Sequence, residues 1–170
     1  MQTLYIWSVL LHLLAAITWV GGMIFLIAVL VPTIRDPALQ DQARTVMQIG
    51  SQRFRLVGWA ALIVLILTGI TNTIFHDQAP TFDTEEFWRS PIGTLFAWKL
   101  VLVGLVIILS AIHDFWLGPK EGMALKQDPN SAGAYRLRYA AAWMGRAKFL
   151  LSLIIVAIAV ILIRGTPWPG

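Results

Sequence analysis

The sequence predicts an all-α polytopic membrane protein, a bundle of four membrane-spanning helices with both termini on the outer side. Composition comes first: 58% of the 170 residues are hydrophobic, 13% are charged, and the mean hydropathy is +0.72. That leaves too few charges to clothe a water-soluble domain. Second, the apolar residues gather into four uninterrupted runs, each reaching the ~20 residues that a spanning helix needs. Third, lysine and arginine are distributed unevenly between the connections, which sets the orientation.

The first helix is predicted over residues 4–31. No basic segment precedes it, and its apolar core exceeds the roughly 7–15 residues of a signal sequence, so it is expected to stay in the membrane. The connection that follows holds Arg35, Arg44, Arg53 and Arg55 against Asp36 and Asp41. Within it, Asp36-Pro37 opens a short helix. Leu39, Ala43, Val46 and Gly50 share one face of it, as expected of a segment lying along the headgroups. The second helix is placed at 54–76, with His76 at its end.

The stretch HDQAPTFDTEEFWRSP that comes next is mostly acidic. Ser90-Pro91 reads as an N-cap followed by proline at the first helical position, and starts the third helix over 91–117. DPNS at 128–131 starts a helical segment that runs into the fourth helix, 144–164. Lys120, Lys126, Arg136, Arg138, Arg146 and Lys148 lie around it. Both basic connections fall on one side, so both termini face outward, in a bacterial inner membrane. No repeat or boundary divides the chain, and a single domain over 1–170 suffices. The runs lack the alternation of a spanning barrel. Trp7, Trp88 and Trp168 suit interfacial belts.

The chain has no cysteine, which excludes disulfides, thiolate metal sites and iron–sulfur clusters. The net charge of +4 is a signal of topology, since no nucleic-acid motif accompanies it. No nucleophile–base pair, phosphate loop or carboxylate ligand set points to hydrolase or transferase chemistry.

What remains is a handful of polar residues inside the apolar runs. His12 lies ~12 Å inward from Leu4, and Lys99 ~13 Å inward from Ser90. Thr68 and Asn72 lie ~11 Å and ~5 Å below the outer end of the second helix. All four therefore fall in the outer half of the bilayer. His12, Trp19 and Met23 share a stripe on the first helix, and Gly21 and Gly22 beside it leave room for a neighbouring helix or a flat ligand. Lys99, Val103, Val106, Ser110 and His113 form a stripe expected to face partner helices. His113 sits ~20 Å deeper than His12, too far to share a metal ion with it. With Asp114 near Arg53, Arg55 and Arg146, it reads equally as an ion-pair network.

Intramembrane ionisable residues lean towards function. A plainer alternative is that His12 hydrogen-bonds a neighbouring Ser, Thr or carbonyl, that Lys99 extends to the surface, and that Thr68 and Asn72 join helices.

LHLLAAITWVGGMIF followed by Pro32, LTGI at 67–70, and SPIGTLFAWKLVLVGLVIIL resemble the copper-resistance protein D (CopD) family, from Leu10 to about Pro119. The histidine before Trp-x-Gly and the Trp-Lys-Leu start of the third helix are also similar to the HemJ-type membrane protoporphyrinogen oxidases. This chain has Val31-Pro32 where that family shows Tyr-His. The second resemblance implies a single b-type haem with His12 and Lys99 as its metal-site residues; the depths and faces given above put Trp19, Gly22, Thr68 and Asn72 around it.

Three readings follow. The first is a haem-binding redox protein with a redox partner or quinone, and, if an enzyme, a haem-dependent oxidoreductase. The second is copper transport or resistance, as the CopD resemblance implies. Cu(I) prefers thioether and thiolate ligands, and the five methionines show no Met-x-x-Met; Met23 lies ~16 Å from His12 along the helix. The third is an accessory or assembly subunit without a ligand, surrounded by lipid and able to self-associate.

Overall fold

A computed structural model describes residues 2–39, 42–75 and 84–164, and those residues are almost entirely helical. His76, expected to end the second helix, lies outside them. Four helices are long and apolar enough to cross a membrane. We label the helices α1 (Gln2–Thr33), α2 (Ala43–Ile74), α3 (the five residues Glu85–Arg89), α4 (Pro91–Gln127) and α5 (Ala132–Arg164). The chain divides into two compact units, Met1–Ala79 and Pro80–Gly170. The first contains the antiparallel pair α1–α2, the second α3 with the pair α4–α5.

Spanning helices of 32–37 residues have a rise of about 50 Å, well over the ~30 Å of the hydrocarbon core. The surplus lies at the ends where Lys and Arg gather. α2 begins at Ala43, α4 runs on to Gln127 and α5 begins at Ala132. The segment around Ala43 and Gly50 is thus the first two turns of α2, not a separate helix along the headgroups. Its Ala, Arg, Met and Gln residues are good helix formers, and nothing at the apolar boundary breaks the chain.

Start signals work as their chemistry requires. Ser90 Oγ accepts from the Gly93 N–H at 3.0 Å, with Pro91 at the first turn of α4. Ser131 Oγ accepts from the Ala134 N–H at 3.2 Å, and Asp128 Oδ1 from the Asn130 N–H at 2.9 Å, so DPNS turns the chain into α5. Gly93 is needed at its position because a Cβ there would overlap the carbonyl of Phe87 on α3.

α1 and α4 each contain a π-helical stretch, Leu26–Leu30 and Ile112–Leu117. Each ends two residues before a proline, Pro32 and Pro119. Proline gives no N–H to the carbonyl four residues back and crowds it with its ring. Widening the preceding turn to i→i+5 bonding relieves that conflict without breaking the helix.

Candidate functional site

In the first unit the seam between α1 and α2 is built from small residues facing rings. Ser8, Ala15, Trp19 and Met23 are buried on α1, and Ala61, Leu62 and Thr68 on α2. The Trp19 and Phe54 rings stack with centroids 6.1 Å apart and planes inclined by 28°. A Cβ on Gly58 would come within 2.9 Å of the Trp19 ring, and one on Gly22 would overlap the ring of Phe54. The flat group seated against Gly22 is therefore the phenyl ring of Phe54. Small residues in membrane helices serve such close approach, since lipid gives no hydrophobic drive for helix pairing.

His12 sits two turns further along this seam. Its Nδ1 is 2.8 Å from Thr68 Oγ1. Thr68 Oγ1 lies 2.6 Å from the Val64 carbonyl and Ser8 Oγ reaches the Thr68 carbonyl at 3.4 Å. The backbone of Gly69 is beside the imidazole, where a Cβ would stand 3.5 Å from Cε1. Antiparallel helices of equal rise bring His12 and Thr68 to one depth, and there they meet. The hydrogen bond to a threonine named as the plainer reading is present. Asn72, one turn beyond Thr68, holds its Oδ1 buried with no hydrogen-bond partner among the described residues. Ser8 was not singled out from sequence, because an isolated serine in an apolar helix signals nothing until its neighbour is known.

In the second unit Lys99 is half-buried on α4, as is His113, while Val106 and Ser110 of the same stripe are buried. The stripe faces inward, as its spacing predicts. Ser110 is fully buried, with no partner for Oγ among the described residues. His113 Nδ1 lies 2.7 Å from Asp114 Oδ1, and Lys148 Nζ of α5 lies 3.9 Å from the same oxygen. Asp114 thus pairs across the α4–α5 seam with Lys148. Arg146 instead lies over the ring of Trp143, 5.4 Å from its centroid. Glu121 is within electrostatic range of His113 and Arg138. His12 and Lys99 belong to different units.

Among the described residues no group of three or more His, Asp or Glu side chains could enclose a metal ion.

Fold and site define a class: a multi-pass α-helical membrane protein whose polar side chains concentrate along helix seams. Residues 50–162 match the copper resistance protein D model, and the chain belongs to that CopD family. The match takes in Thr68, Asn72, Lys99, Asp114 and Lys148 and leaves His12 outside. An uncharacterized protein of Aquifex aeolicus (strain VF5) is 32% identical over 152 residues, covering 88% of this chain and 89% of the relative. No solved structure gives a significant match.

Proposed function

We propose that this protein handles copper in the membrane, as a copper-resistance-type protein, with His12 as the side chain that contacts the ion. The observation that carries this is a histidine fixed at one nitrogen across the α1–α2 seam, in a chain of the CopD family. Imidazole suits copper. Without an enclosing ligand cluster among the described residues, the ion is cargo held transiently, not a permanent cofactor. Lys99, the second residue assigned to the metal from sequence, enters the proposal as a half-buried ionisable residue of α4. Asn72 supplies an oxygen atom on the facing helix, and Thr68 holds the imidazole through its hydroxyl. The Lys/Arg distribution supports an orientation with both termini outside the bacterial inner membrane.

The competing occupant is a b-type haem, for which imidazole is equally a ligand and which the likeness to HemJ-type oxidases favours. The space beside Gly22 speaks against it, since Phe54 fills that space.

Protein purified in detergent from copper-supplemented cells tests both. We expect bound copper by elemental analysis and copper affinity at least ~10-fold weaker in His12→Ala, as loss of a ligand should exceed the ~10-fold cost of losing an outer-shell partner. Lys99→Ala, measured alongside, reports whether this residue matters. A wild-type preparation that takes up no copper, with cellular copper unchanged on overexpression, would overturn the proposal. A Soret band that disappears in His12→Ala would transfer the site to haem.

A further inference from the structure

A threonine hydroxyl has a single hydrogen to give and two lone pairs to receive. Thr68 Oγ1 lies 2.6 Å from the Val64 carbonyl, which can only accept, and 2.8 Å from His12 Nδ1. The Leu65 carbonyl, at 3.5 Å, is too far to compete. If the hydroxyl hydrogen turned towards His12, two oxygens would face each other at 2.6 Å with nothing between them. In a site where Thr68 is buried, that repulsion is not relieved by water. The hydrogen therefore belongs to the Val64 bond, and the bond to the imidazole is donated by Nδ1–H. One proton on Nδ1 of a neutral imidazole leaves the lone pair on Nε2.

We infer that Thr68 is a positioning residue: its hydroxyl, held by the Val64 carbonyl, fixes His12 as the Nδ1–H tautomer and so makes Nε2 the nitrogen that can bind an ion. Two features hold the acceptor in place. Ser8 Oγ donates to the Thr68 carbonyl from the same helix that carries His12. Gly69, without a side chain, lets the imidazole edge lie against α2, where a Cβ would already be in van der Waals contact. Metal-binding histidines commonly have their second nitrogen held in this way by a carboxylate or carbonyl; here a hydroxyl is made an obligate acceptor by its own helix backbone. The tautomer assignment stands on geometry alone. Its consequence for copper rests on the proposed function above.

The test is nitrogen NMR of the full-length, metal-free protein in lipid nanodiscs, with histidine labelled in the ring. Only three histidines are present, so the His12 signals follow from a difference with His12→Gln. Near neutral pH a lone-pair nitrogen and a protonated nitrogen resonate far apart. We expect the wild type and Thr68→Ser to show Nδ1 protonated and Nε2 bearing the lone pair. In Thr68→Val we expect population to move towards Nε2–H, the form that free imidazole side chains favour. Copper affinity should fall ~10-fold in Thr68→Val and stay near wild type in Thr68→Ser.

A wild-type His12 found as Nε2–H overturns the inference, and so does a tautomer unchanged by Thr68→Val. If that variant does not fold, the wild-type spectrum still decides. A tautomer as expected, with no copper bound by the wild type, keeps the lock and refutes the copper reading instead. Copper binding lost in His12→Ala, with His12 as Nε2–H, does the reverse.

Discussion

The two helical hairpins share a backbone device and fill it with different chemistry. In α1 the π-helical stretch before Pro32 is LIAVL, wholly apolar. In α4 the stretch before Pro119 is IHDFWL, which brings His113 and Asp114 to the seam with α5. Neither α1 nor α2 contains an Asp or Glu, so no ion pair joins the two, and their described seam is closed by rings over glycines and by hydroxyl and imidazole hydrogen bonds. The α4–α5 seam is closed at its basic end by a carboxylate between an imidazole and an ammonium. A neutral seam fails gradually when one group is removed. A charged seam fails abruptly, because the remaining charge is left without its counterion.

The largest effect should therefore come from the second hairpin. Lys148 and Asp114 side chains are only 10% and 15% exposed. Removing one member of such a pair costs on the order of 3–5 kcal/mol, while replacing both is often close to neutral. We expect Asp114→Asn and Lys148→Met each to lower the melting temperature of the detergent-solubilised protein sharply. Asp114→Asn with Lys148→Met together should recover most of it. A double variant as unstable as the sum of the singles would show that the two groups do not act as a pair, and the contrast between the hairpins would fall.

A smaller effect tests the neutral seam. Gly22→Leu pushes a side chain into the ring of Phe54, and overpacking of this kind costs about 1–3 kcal/mol. Combining it with Phe54→Ala frees the space and should restore part of the loss, whereas Gly21→Leu, with nothing within 4 Å of its Cβ position, should change little. Equal melting temperatures for Gly21→Leu and Gly22→Leu would mean that the ring is not held against α1.

How much of this was legible in the sequence depends on the scale of the signal. The four spans and their starts could be read because a ~20-residue apolar run and a Ser-Pro or Asp-Pro-Asn-Ser start each have one dominant physical meaning. The depth of His12 and Thr68 followed from a constant rise of 1.5 Å per residue, and this put them in one layer before any contact was known. The helix ends at the basic side did not follow, because charge marks where the hydrocarbon stops and not where the helix does. Nor did the partner of Asp114. Three arginines looked like suitable counterions, and only the crossing of α4 and α5 selects Lys148. The widened turn that carries Asp114 had a signal, Pro119, just as Pro32 signalled its counterpart in α1.

The smallest effect separates hydrogen bonding from burial within the neutral hairpin. Ser8 is buried, and its hydroxyl reaches the Thr68 carbonyl at 3.4 Å, long for an O–H···O bond. Interhelical hydrogen bonds in membranes average only about 0.6 kcal/mol, because the separated helices find other partners in lipid. Ser8→Ala should therefore cost about 0.5 kcal/mol or less and barely move the melting temperature. Its value lies in what it does not disturb: Ser8 contacts the backbone of Thr68, while His12 contacts the hydroxyl. If the neutral seam is a set of weak and separable contacts, the His12 nitrogen signals should keep their tautomer in Ser8→Ala. A loss of several kcal/mol, or a change of tautomer, would show that Ser8, Thr68 and His12 form one cooperative network, and the first hairpin would then resemble the second more closely than its lack of charge suggests.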